Sequence, residues 1–511
     1  MVDIFENEIK QRTINDSIHS HIRITALENE ILKTPAMNRL HNIRSLALAN
    51  LVFPGATGTR FAHSLGTMHL ASKMTTQILS SINRRGLYSK LFPGLNNGSD
   101  QLRILQATRL AALLHDVGHG PLSHTTENFM LALIRKDSIE YSEYKKLFHH
   151  ETDETRNYVH EYFSIRIIEK LFEIEGIRNN DLSISAYDVT CLLARSDSRS
   201  EIFSTQETVD LFRKIISSEI DADRMDYIMR DSTYTGARFG NVDYERLISC
   251  MEVFETGNRS YEIAFNEKAL GTIEAFIDSR YKNYKWVVRH HLMVSFDQLI
   301  RYGIYDLLNT GDLDLSRFHW SEFLKGKMTD STINALILEN AVEENTICRS
   351  LIDRRYAPTS LFKGRNEKYV KFEKEINDAS GTSGGKKSAI NAISSYIQKI
   401  NAALIDPDIE DGIPRIIVRG KPAIILANTS GPTPFSEESG GNGIYIFDDS
   451  GLRKMEEISS YFKSLNNEWT NFRPYYISFL VPGETKERYL KDGFFDEVWL
   501  SLIHEITSQE L

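Results

Sequence analysis

The residues from Leu113 to Glu127, LLHDVGHGPLSHTTE, concentrate side chains that can bind metals and transfer protons. His115 and Asp116 come after an apolar run with the spacing of a core-facing helix. A Gly- and Pro-containing turn then interrupts this helix, and His124 and Glu127, three residues apart, are expected on one face of the next helical segment. Ionisable groups rarely lie beside a buried helix end without partners. The stretch therefore predicts a metal site with proton-transfer chemistry.

A metal site in this stretch needs ligands from other elements. Adjacent residues of a helix diverge by about 100°, so His115 and Asp116 can share an ion only where further helices close around them. The candidates are His63, near the start of a predicted long helix, and Asp223 in a later one. Two imidazoles and two carboxylates favour a divalent transition metal (Mn, Fe, Co, Ni or Zn) over Ca or Mg.

The choice of Asp223 rests on the helical periodicity of EIDADRMDYIMRD. Three polar side chains lie at +4, +7 and +8 from Asp223, which is one helix face; they are Tyr227, Arg230 and Asp231. Asp221 and Asp226 are expected to point elsewhere. The alternative interpretations are a solvated acidic helix face and, for His63, a capping or core histidine.

Length and composition limit the class of protein. A chain of 511 residues is too long for one core, and its 41% hydrophobic and 25% charged content is typical of globular proteins. No apolar run approaches the ~20 residues of a membrane span, and the N-terminus is not a signal peptide. The three cysteines lack zinc or disulfide spacing, which favours a cytoplasmic location. The net charge of −10 argues against a nucleic-acid surface, but not against an anionic small molecule bound beside a metal.

The order of the patterns predicts a mainly α fold, with a helical core and a smaller C-terminal α+β domain. Helical patterns dominate residues 1–355, apart from a predicted hairpin in CMEVFETGNRSYEIAF. Residues 356–395 contain SGTSGGKK and are expected to form a linker region. Residues 396–511 contain four strand-like runs, PRIIVRG, PAIILAN, GIYIFDD and YYISFLVPG, and end in a helical pattern.

Four sequence pieces together resemble the HD-domain phosphohydrolases: RFAHSLG, LLHDVGHGPLSH, HEYF and EIDADRMDYIMRD. Among these, the chain is most similar to the deoxynucleoside triphosphate triphosphohydrolases, which include the bacterial dGTPases. The resemblance covers roughly residues 13–310 and implies a helical HD-domain core. Residues 396–511 carry no comparable resemblance.

The resemblance implies an activity and roles for individual residues. The expected reaction is hydrolysis of a nucleoside triphosphate to the nucleoside and inorganic triphosphate. The implied metal ligands are His63, His115, Asp116 and Asp223. His124, oriented by Glu127, matches the proton donor to the leaving 5′-oxygen, and His119 and His160 match positions that contact phosphate or share the proton. The positions that hold triphosphate and sugar are matched by Arg60, Arg224, Tyr227, Asp231, Arg280 and His290.

The resemblance has departures that leave the substrate open. Val288 stands where the family often has a tyrosine below the sugar, so neither the preferred sugar nor the base can be deduced from the sequence. Asn15 matches a regulatory stretch of the family, which implies a regulatory nucleotide, and the family also implies a homo-oligomer. An additional Mg on the triphosphate and a role in nucleotide-pool control or phage defence are compatible with the resemblance.

Two alternatives to this activity remain open. One is another HD hydrolase, such as a nucleotidase or a signalling-nucleotide phosphodiesterase. The other is a nucleotide-sensing interaction protein that acts through its C-terminal domain.

Overall fold

The computed structural model describes residues 12–148, 158–195, 199–257, 260–342, 346–363, 367–379, 395–400, 415–428, 443–471, 476–491 and 493–508. The chain forms two compact units. The first comprises Met1–Tyr284, Phe318–Thr329 and Pro434–Asn467, and the second comprises Lys285–Arg317, Asp330–Thr433 and Glu468–Leu511. The division into 1–355, 356–395 and 396–511 stays a prediction.

The first unit is mainly helical. Its first five helices are α1 (Ala26–Leu32), α2 (Pro35–Arg39), α3 (Arg60–Arg84), α4 (Tyr88–Leu91) and α5 (Ser99–Leu114). The next ones are α6 (Glu127–Lys136), α7 (Ser138–Phe148), α8 (Val159–Leu171), α9 (Glu175–Arg178), α10 (Ala186–Thr190), α11 (Gln206–Arg213), α12 (Ala222–Thr235), α13 (Tyr244–Ser249) and α14 (Leu270–Asn283). The predicted helical core is confirmed.

Three of these helices form the framework of the first unit, because α3 packs against both α5 and α12. The side chain of Thr59 accepts a hydrogen bond from the backbone of Ala62 and so begins α3. Met68, Met74 and Ile78 on α3 are fully buried, and each such side chain contributes about 1.5–3 kcal/mol by leaving water. The framework is therefore held by apolar packing, and the polar residues that it carries are positioned by it.

Two hairpins of the first unit are described in the part of the chain that precedes α14. The N-terminal hairpin pairs β1 (Arg12–Asp16) with β2 (Ser20–Ile24) in antiparallel register, with Ile14 opposite Ile22. The predicted later hairpin is present as β3 (Met251–Thr256) and β4 (Ser260–Asn266), although part of its turn lies outside the described residues.

The C-terminal part of the chain supplies the other strands to both units. In chain order they are β5 (Thr359–Lys363), β6 (Arg415–Val418), β7 (Lys421–Asn428), β8 (Tyr445–Asp448), β9 (Gly451–Lys454) and β10 (Tyr476–Leu480). Two of them extend the later hairpin of the first unit into a sheet of order β3-β4-β8-β9, in which β8 runs parallel to β4. The sequence patterns do not predict that these two strands join the first unit.

The second unit combines one antiparallel sheet with helices. The strand order of this sheet is β5-β10-β7-β6. The helix α15 (His291–Thr310) packs on the sheet, and the hydroxyl of Tyr302 donates to the carbonyl of Ile425 at 3.2 Å. The predicted α+β character of the C-terminal region is confirmed.

The remaining helices complete both units. They are α16 (Trp320–Leu324), α17 (Asp330–Glu339), α18 (Thr346–Ile352), α19 (Glu367–Ala379), α20 (Met455–Ile458), α21 (Ser460–Asn471), α22 (Lys486–Lys491) and α23 (Phe494–Ser508). Within the predicted linker region, β5 and α19 are regular elements, whereas SGTSGGKK lies outside the described residues. Of the helices that the structure describes, none is both long enough and apolar enough to cross a membrane.

Candidate active site

Three helices of the first unit bring His63, His115, Asp116 and Asp223 together. His63 lies in the first turn of α3, His115 and Asp116 come directly after the end of α5, and Asp223 lies in the first turn of α12. Nε2 of His63 is 2.9 Å from Oδ1 of Asp223 and 3.6 Å from Oδ2 of Asp116. Nε2 of His115 is 3.3 Å from Oδ1 of Asp116 and 3.7 Å from Oδ1 of Asp223. The side-chain atoms that could bind one ion therefore converge.

Both imidazoles present Nε2 to these carboxylates because their Nδ1 atoms are bound elsewhere. Nδ1 of His115 donates to the carbonyl of Ala112 at 2.8 Å, and Nδ1 of His63 lies 2.7 Å from Oδ2 of Asp226. Among the described residues, no hydrogen-bond partner meets the buried Nε2 of His115. A buried imidazole nitrogen facing two carboxylates suits a divalent metal ion. His63, His115 and Asp116 lie close enough to one another to hold such an ion.

The carboxylates around His63 and His115 create a negative electrostatic potential at this position. Burial disfavours a protonated His63, but hydrogen bonds to Asp223 and Asp226 outweigh it and raise the pKa of His63 to about 10. Burial also disfavours ionised Asp116, yet Arg60 and the neighbouring histidines hold the pKa of Asp116 well below its usual value. A field of this kind attracts a cation.

A second group of side chains, His119, His124, Glu127 and His160, adjoins the first. Oε1 of Glu127 is 2.9 Å from Nδ1 of His124 and 2.5 Å from Nδ1 of His160. The ring of His119 stacks on that of His160 with centroids 3.8 Å apart, and its Nε2 is 3.3 Å from Oδ1 of Asp116. His119 thus links the two groups. The predicted contact between His124 and Glu127 is present.

The protonation states of this second group differ from one another. Burial opposes ionised Glu127, but His124 and His160 more than offset it and keep the pKa of Glu127 well below its usual value. Burial disfavours protonated His160, whereas the carboxylates of Glu161 and Glu127 raise the pKa of His160 to about 9. Burial and the nearby Arg60 hold the pKa of His119 well below its usual value. One imidazole of the stacked pair is therefore favoured as neutral and the other as charged.

The turn between α5 and α6 lies in close contact with the backbone of α8. A Cβ at Gly118 would lie 2.2 Å from the carbonyl oxygen of His160 and 2.3 Å from the backbone nitrogen of Ser164, so α8 can approach only a glycine there. Leu122 and Ser123 have φ values of 58° and 55°, a backbone conformation that costs energy for non-glycine residues. This conformation places His124 on the exposed side of the turn, and its side chain is 66% exposed.

Three arginines predicted to bind triphosphate each contact a carboxylate. Nη1 of Arg60 contacts Oδ2 of Asp116. Nη1 of Arg280 donates to Oε2 of Glu219 at 2.5 Å. Nη1 of Arg224 is 3.4 Å from Oδ2 of Asp221 and 4.0 Å from Oε2 of Glu219. The sequence did not predict these acidic partners, which neutralise the arginines and hold them in place.

The other predicted substrate residues lie in different surroundings. Tyr227, one turn after Asp223, is half-buried. Asp231 is buried and accepts a hydrogen bond from Nδ2 of Asn283 at 3.0 Å, and burial raises the pKa of Asp231 to about 7. His290 belongs to the second unit, where its side chain accepts from the backbone of Leu292 at the start of α15. Its role toward substrate stays a prediction.

The helical periodicity misjudged one face of α12. Asp226 does not point away from the candidate site but contacts the Nδ1 side of His63. Arg230 does not share the surroundings of Asp223; it binds Asp226, four residues earlier. The spacing of Asp226 and Arg230 is itself the signal of an ion pair along a helix. Asp221 accepts from the backbone of Arg224 and caps α12.

Comparison with known proteins identifies the region that carries His63, His115, Asp116 and the second group of side chains, whereas Asp223 lies beyond it. Residues 60–201 match the HD domain family. The chain is 30% identical to an uncharacterized protein of Methanocaldococcus jannaschii over 60% of this chain and 51% of that protein. It is 26% identical to SAMHD1 of Homo sapiens, a deoxynucleoside triphosphate triphosphohydrolase, over 57% of this chain and 43% of that protein. The chain thus matches about half the length of these relatives.

Two solved structures share the fold. A hypothetical protein of Aquifex aeolicus superposes with a TM-score of 0.59 at 20% identity, covering 96% of this chain and 100% of that one. A phosphohydrolase of Bacteroides thetaiotaomicron has a TM-score of 0.58 at 19% identity, covering 93% and 100%. The chain thus contains a region that matches the HD domain family, and over part of its length it is similar to the deoxynucleoside triphosphate triphosphohydrolases.

Proposed function

We propose that the protein hydrolyses nucleoside triphosphates, with deoxynucleotides included, to the nucleoside and inorganic triphosphate. The observation that supports this most is the convergence of two imidazoles and two carboxylates beside a Glu127-bound imidazole. His63, His115, Asp116 and Asp223 would hold a divalent ion. When bound, such an ion supplies Lewis acidity that activates water and polarises a phosphoryl group.

The remaining side chains account for the other requirements of the reaction. A bond forms between water oxygen and the α-phosphorus, and the bond between that phosphorus and the 5′-oxygen breaks. The leaving 5′-oxygen then needs a proton, which His124 donates while Glu127 orients its ring. The attacking water must lose a proton as its oxygen binds phosphorus. The stacked pair His119 and His160 would accept that proton and return it to His124, or would bind phosphate oxygens.

Arg60, Arg224 and Arg280 bind the triphosphate. Their forked guanidinium groups suit several phosphate oxygens at once. Because each of them contacts a carboxylate, substrate binding requires that phosphate replaces or adds to those contacts. Tyr227 and Asp231 would contact the sugar end. His290 is proposed as a substrate-binding residue from the family resemblance alone, and Val288 leaves the choice between ribose and deoxyribose open.

Regulation and cellular setting belong to the same proposal. We propose a homo-oligomer in the cytoplasm, with a regulatory nucleotide near Asn15, which lies in β1. The relationship to SAMHD1 proteins supports a role in nucleotide-pool control, for which phage defence is one setting.

A single product assay tests the proposed function. The protein is incubated with each of the eight common NTPs and dNTPs, alone and mixed, with Mn²⁺ or Co²⁺, and triphosphate is separated from pyrophosphate and orthophosphate. Triphosphate plus nucleoside, absent in His115→Ala, supports the proposed function. Orthophosphate or pyrophosphate instead favours a nucleotidase or phosphodiesterase. If the metal-loaded protein turns over none of the nucleotides, the result favours a nucleotide-sensing interaction protein that acts through its C-terminal domain.

A further inference from the structure

Asp226 occupies the side of His63 that faces away from the other candidate ligands. Its Oδ2 lies 2.7 Å from Nδ1 of His63, and its own side chain is completely buried. A carboxylate can only accept, so Nδ1 of His63 donates and keeps its proton. Nε2 is then the ring nitrogen whose lone pair becomes available to a cation when its own proton leaves. This is the nitrogen that lies 2.9 Å from Asp223. Asp226 therefore sets which ring atom of His63 can bind a cation.

Asp226 is in turn fixed by two cationic or hydrogen-bonding partners. Nε of Arg230 donates to its Oδ2 and Nη2 donates to its Oδ1, both at 2.9 Å, which is the forked geometry of a guanidinium on a carboxylate. Nε2 of His19 lies 2.7 Å from the same Oδ1. Burial of the charge of Asp226 is tolerated because these contacts satisfy both of its oxygens.

The turn of the N-terminal hairpin is connected to both partners of Asp226: its Asp16 contacts Arg230, and the turn itself carries His19. Nη1 of Arg230 donates to Oδ2 of Asp16, the last residue of β1, at 3.1 Å. Oδ1 of Asp16 accepts from the backbone of Ile18 and of His19 at 2.9 and 3.0 Å, which shapes the turn that carries His19. A continuous set of contacts thus runs from this turn through Arg230 and Asp226 to His63.

The helix that carries His63 leaves room for this arrangement. A Cβ on Gly66 of α3 would lie 1.8 Å from Oδ1 of Asp226 and 2.7 Å from Nη2 of Arg230. Only a residue without a side chain lets the ion pair lie against α3 at this level.

We propose that Asp226 is the positioning residue of His63 and that the turn of the N-terminal hairpin, through Asp16, His19 and Arg230, holds Asp226 in place for that purpose. The inference rests on the proposed function, in which His63 is a metal ligand. It adds that residues far from His63 in the sequence determine how tightly His63 binds the metal. Outer contacts of this type typically contribute 10–100-fold to metal affinity.

Metal affinity of the Asp226→Asn variant tests the inference. The amide is isosteric, but its NH₂ group meets the donor groups of Arg230, so the ion pair is lost. Titration of metal-free protein with Mn²⁺ or Co²⁺ by calorimetry should show binding about 10–100-fold weaker than in the unaltered protein. Asp16→Asn, one contact further away, should weaken binding less than Asp226→Asn does.

Glu28→Gln is the matched control. Glu28 is equally buried and accepts from Nε and Nη2 of Arg109 at 2.7 Å, but it does not contact His63. This variant should lose stability and keep its metal affinity. Equal affinity of Asp226→Asn and the unaltered protein would overturn the inference and leave the proposed function standing. Failure of the unaltered protein to bind any divalent metal would instead overturn the proposed function.

A spectroscopic measurement tests the inference on the unaltered protein and uses a variant only to assign the signals. In Zn²⁺-loaded protein with ¹⁵N-labelled histidine, the ring signals of His63, assigned by their loss in His63→Gln, should show a proton on Nδ1 and the metal on Nε2. A ring with the metal on Nδ1 would overturn the inference. Gly66→Ala adds a test that retains every hydrogen-bonding group: its methyl group should displace Asp226 and weaken metal binding, and unchanged binding would contradict the inference.

Discussion

His63 and His115 show how single side chains prepare the candidate site. Each ring has its Nδ1 hydrogen-bonded, His63 to a buried carboxylate and His115 to the carbonyl of Ala112. Each therefore presents Nε2 to the same pair of aspartates. The second group is arranged differently, because one carboxylate, that of Glu127, contacts the imidazoles of both His124 and His160. Metal binding and proton donation are thus assigned to adjacent but separate sets of residues.

Substitution of His124 and of His115 should separate these two roles. His124→Ala should keep the metal and lose about 10²–10⁴-fold in kcat, because only the proton donor is removed. His115→Ala should lose both metal and turnover. Metal content by atomic emission and steady-state rates of triphosphate release check this on the same samples. A metal-free His124→Ala protein would contradict the assignment.

At the scale of elements, close backbone contacts decide which residues meet. His160 reaches Glu127 because α8 contacts the bare backbone of Gly118, and Asp226 reaches His63 because α3 has Gly66. The turn before α6 accepts two consecutive left-handed residues, Leu122 and Ser123, at an energetic cost. These features coincide with the candidate catalytic residues.

Gly118→Ala tests this close approach. The added methyl group must push α8 away, which should lower the free energy of unfolding by about 1–3 kcal/mol and reduce kcat by displacing His160. Gly271→Ala is the control, because none of the described residues has an atom within 4 Å of a Cβ at that position of α14. It should leave the rate unchanged and gain up to about 1 kcal/mol. Urea unfolding and rate measurements compare the two; a Gly118→Ala protein that matches the control would refute the packing explanation.

At the scale of the whole molecule, the buried charges couple folding to metal binding and pH. Asp116 and Asp226 are ionised in a buried setting, held by arginines and histidines, and the former also faces the candidate metal position. A cation that binds the folded state alone must stabilise it in proportion to the logarithm of its concentration once the site is saturated. The first unit should therefore respond to both metal and proton concentration.

Metal addition should raise the stability of the unaltered protein. At about 100 times its dissociation constant, Mn²⁺ or Co²⁺ should add ~2.7 kcal/mol. The gain should be absent in His115→Ala, whose site lacks one ligand. Thermal unfolding with and without a chelator measures it. The same increase in Tm in both proteins would indicate binding elsewhere.

Stability of the metal-free protein should pass through a maximum in weakly acidic solution. Burial raises the pKa of Asp16, Asp116, Glu127 and Asp226, but their basic partners outweigh it and hold each pKa below the ordinary 3.8 or 4.5. Their contribution is complete above these values and is lost as pH falls below them. The pKa values of His63 and His160, raised from 6.5 to about 10 and about 9, act in the opposite sense: their contribution is complete below 6.5 and is lost as pH rises toward 9 to 10.

Urea unfolding in the presence of a chelator measures this profile. The contributions of these six groups place the highest midpoint between about pH 4.5 and 6.5, with a fall on either side. Asp226→Asn should be less stable throughout and should lose less on acidification, because one depressed carboxylate is absent. A midpoint that rises steadily from pH 6.5 to pH 9 would contradict the assigned directions of the pKa changes.

Local patterns were enough to predict the helical core, the later hairpin, four strands of the C-terminal region (β6, β7, β8 and β10) and the meeting of His124 with Glu127. Periodicity and turn residues act over a few positions, so their effect can be read from the order of residues. The candidate ligands His63, His115, Asp116 and Asp223 were also identified from the sequence, aided by a family resemblance.

The surroundings of these ligands depend on how distant parts of the chain pack. The contact of Asp226 with His63, the carboxylate partners of three arginines and the entry of β8 and β9 into the first unit join residues that are far apart in sequence. Periodicity places a side chain on a helix face, but it does not say which other helix lies there or how closely. That is set by the packing of whole elements, down to the missing side chains of Gly66 and Gly118.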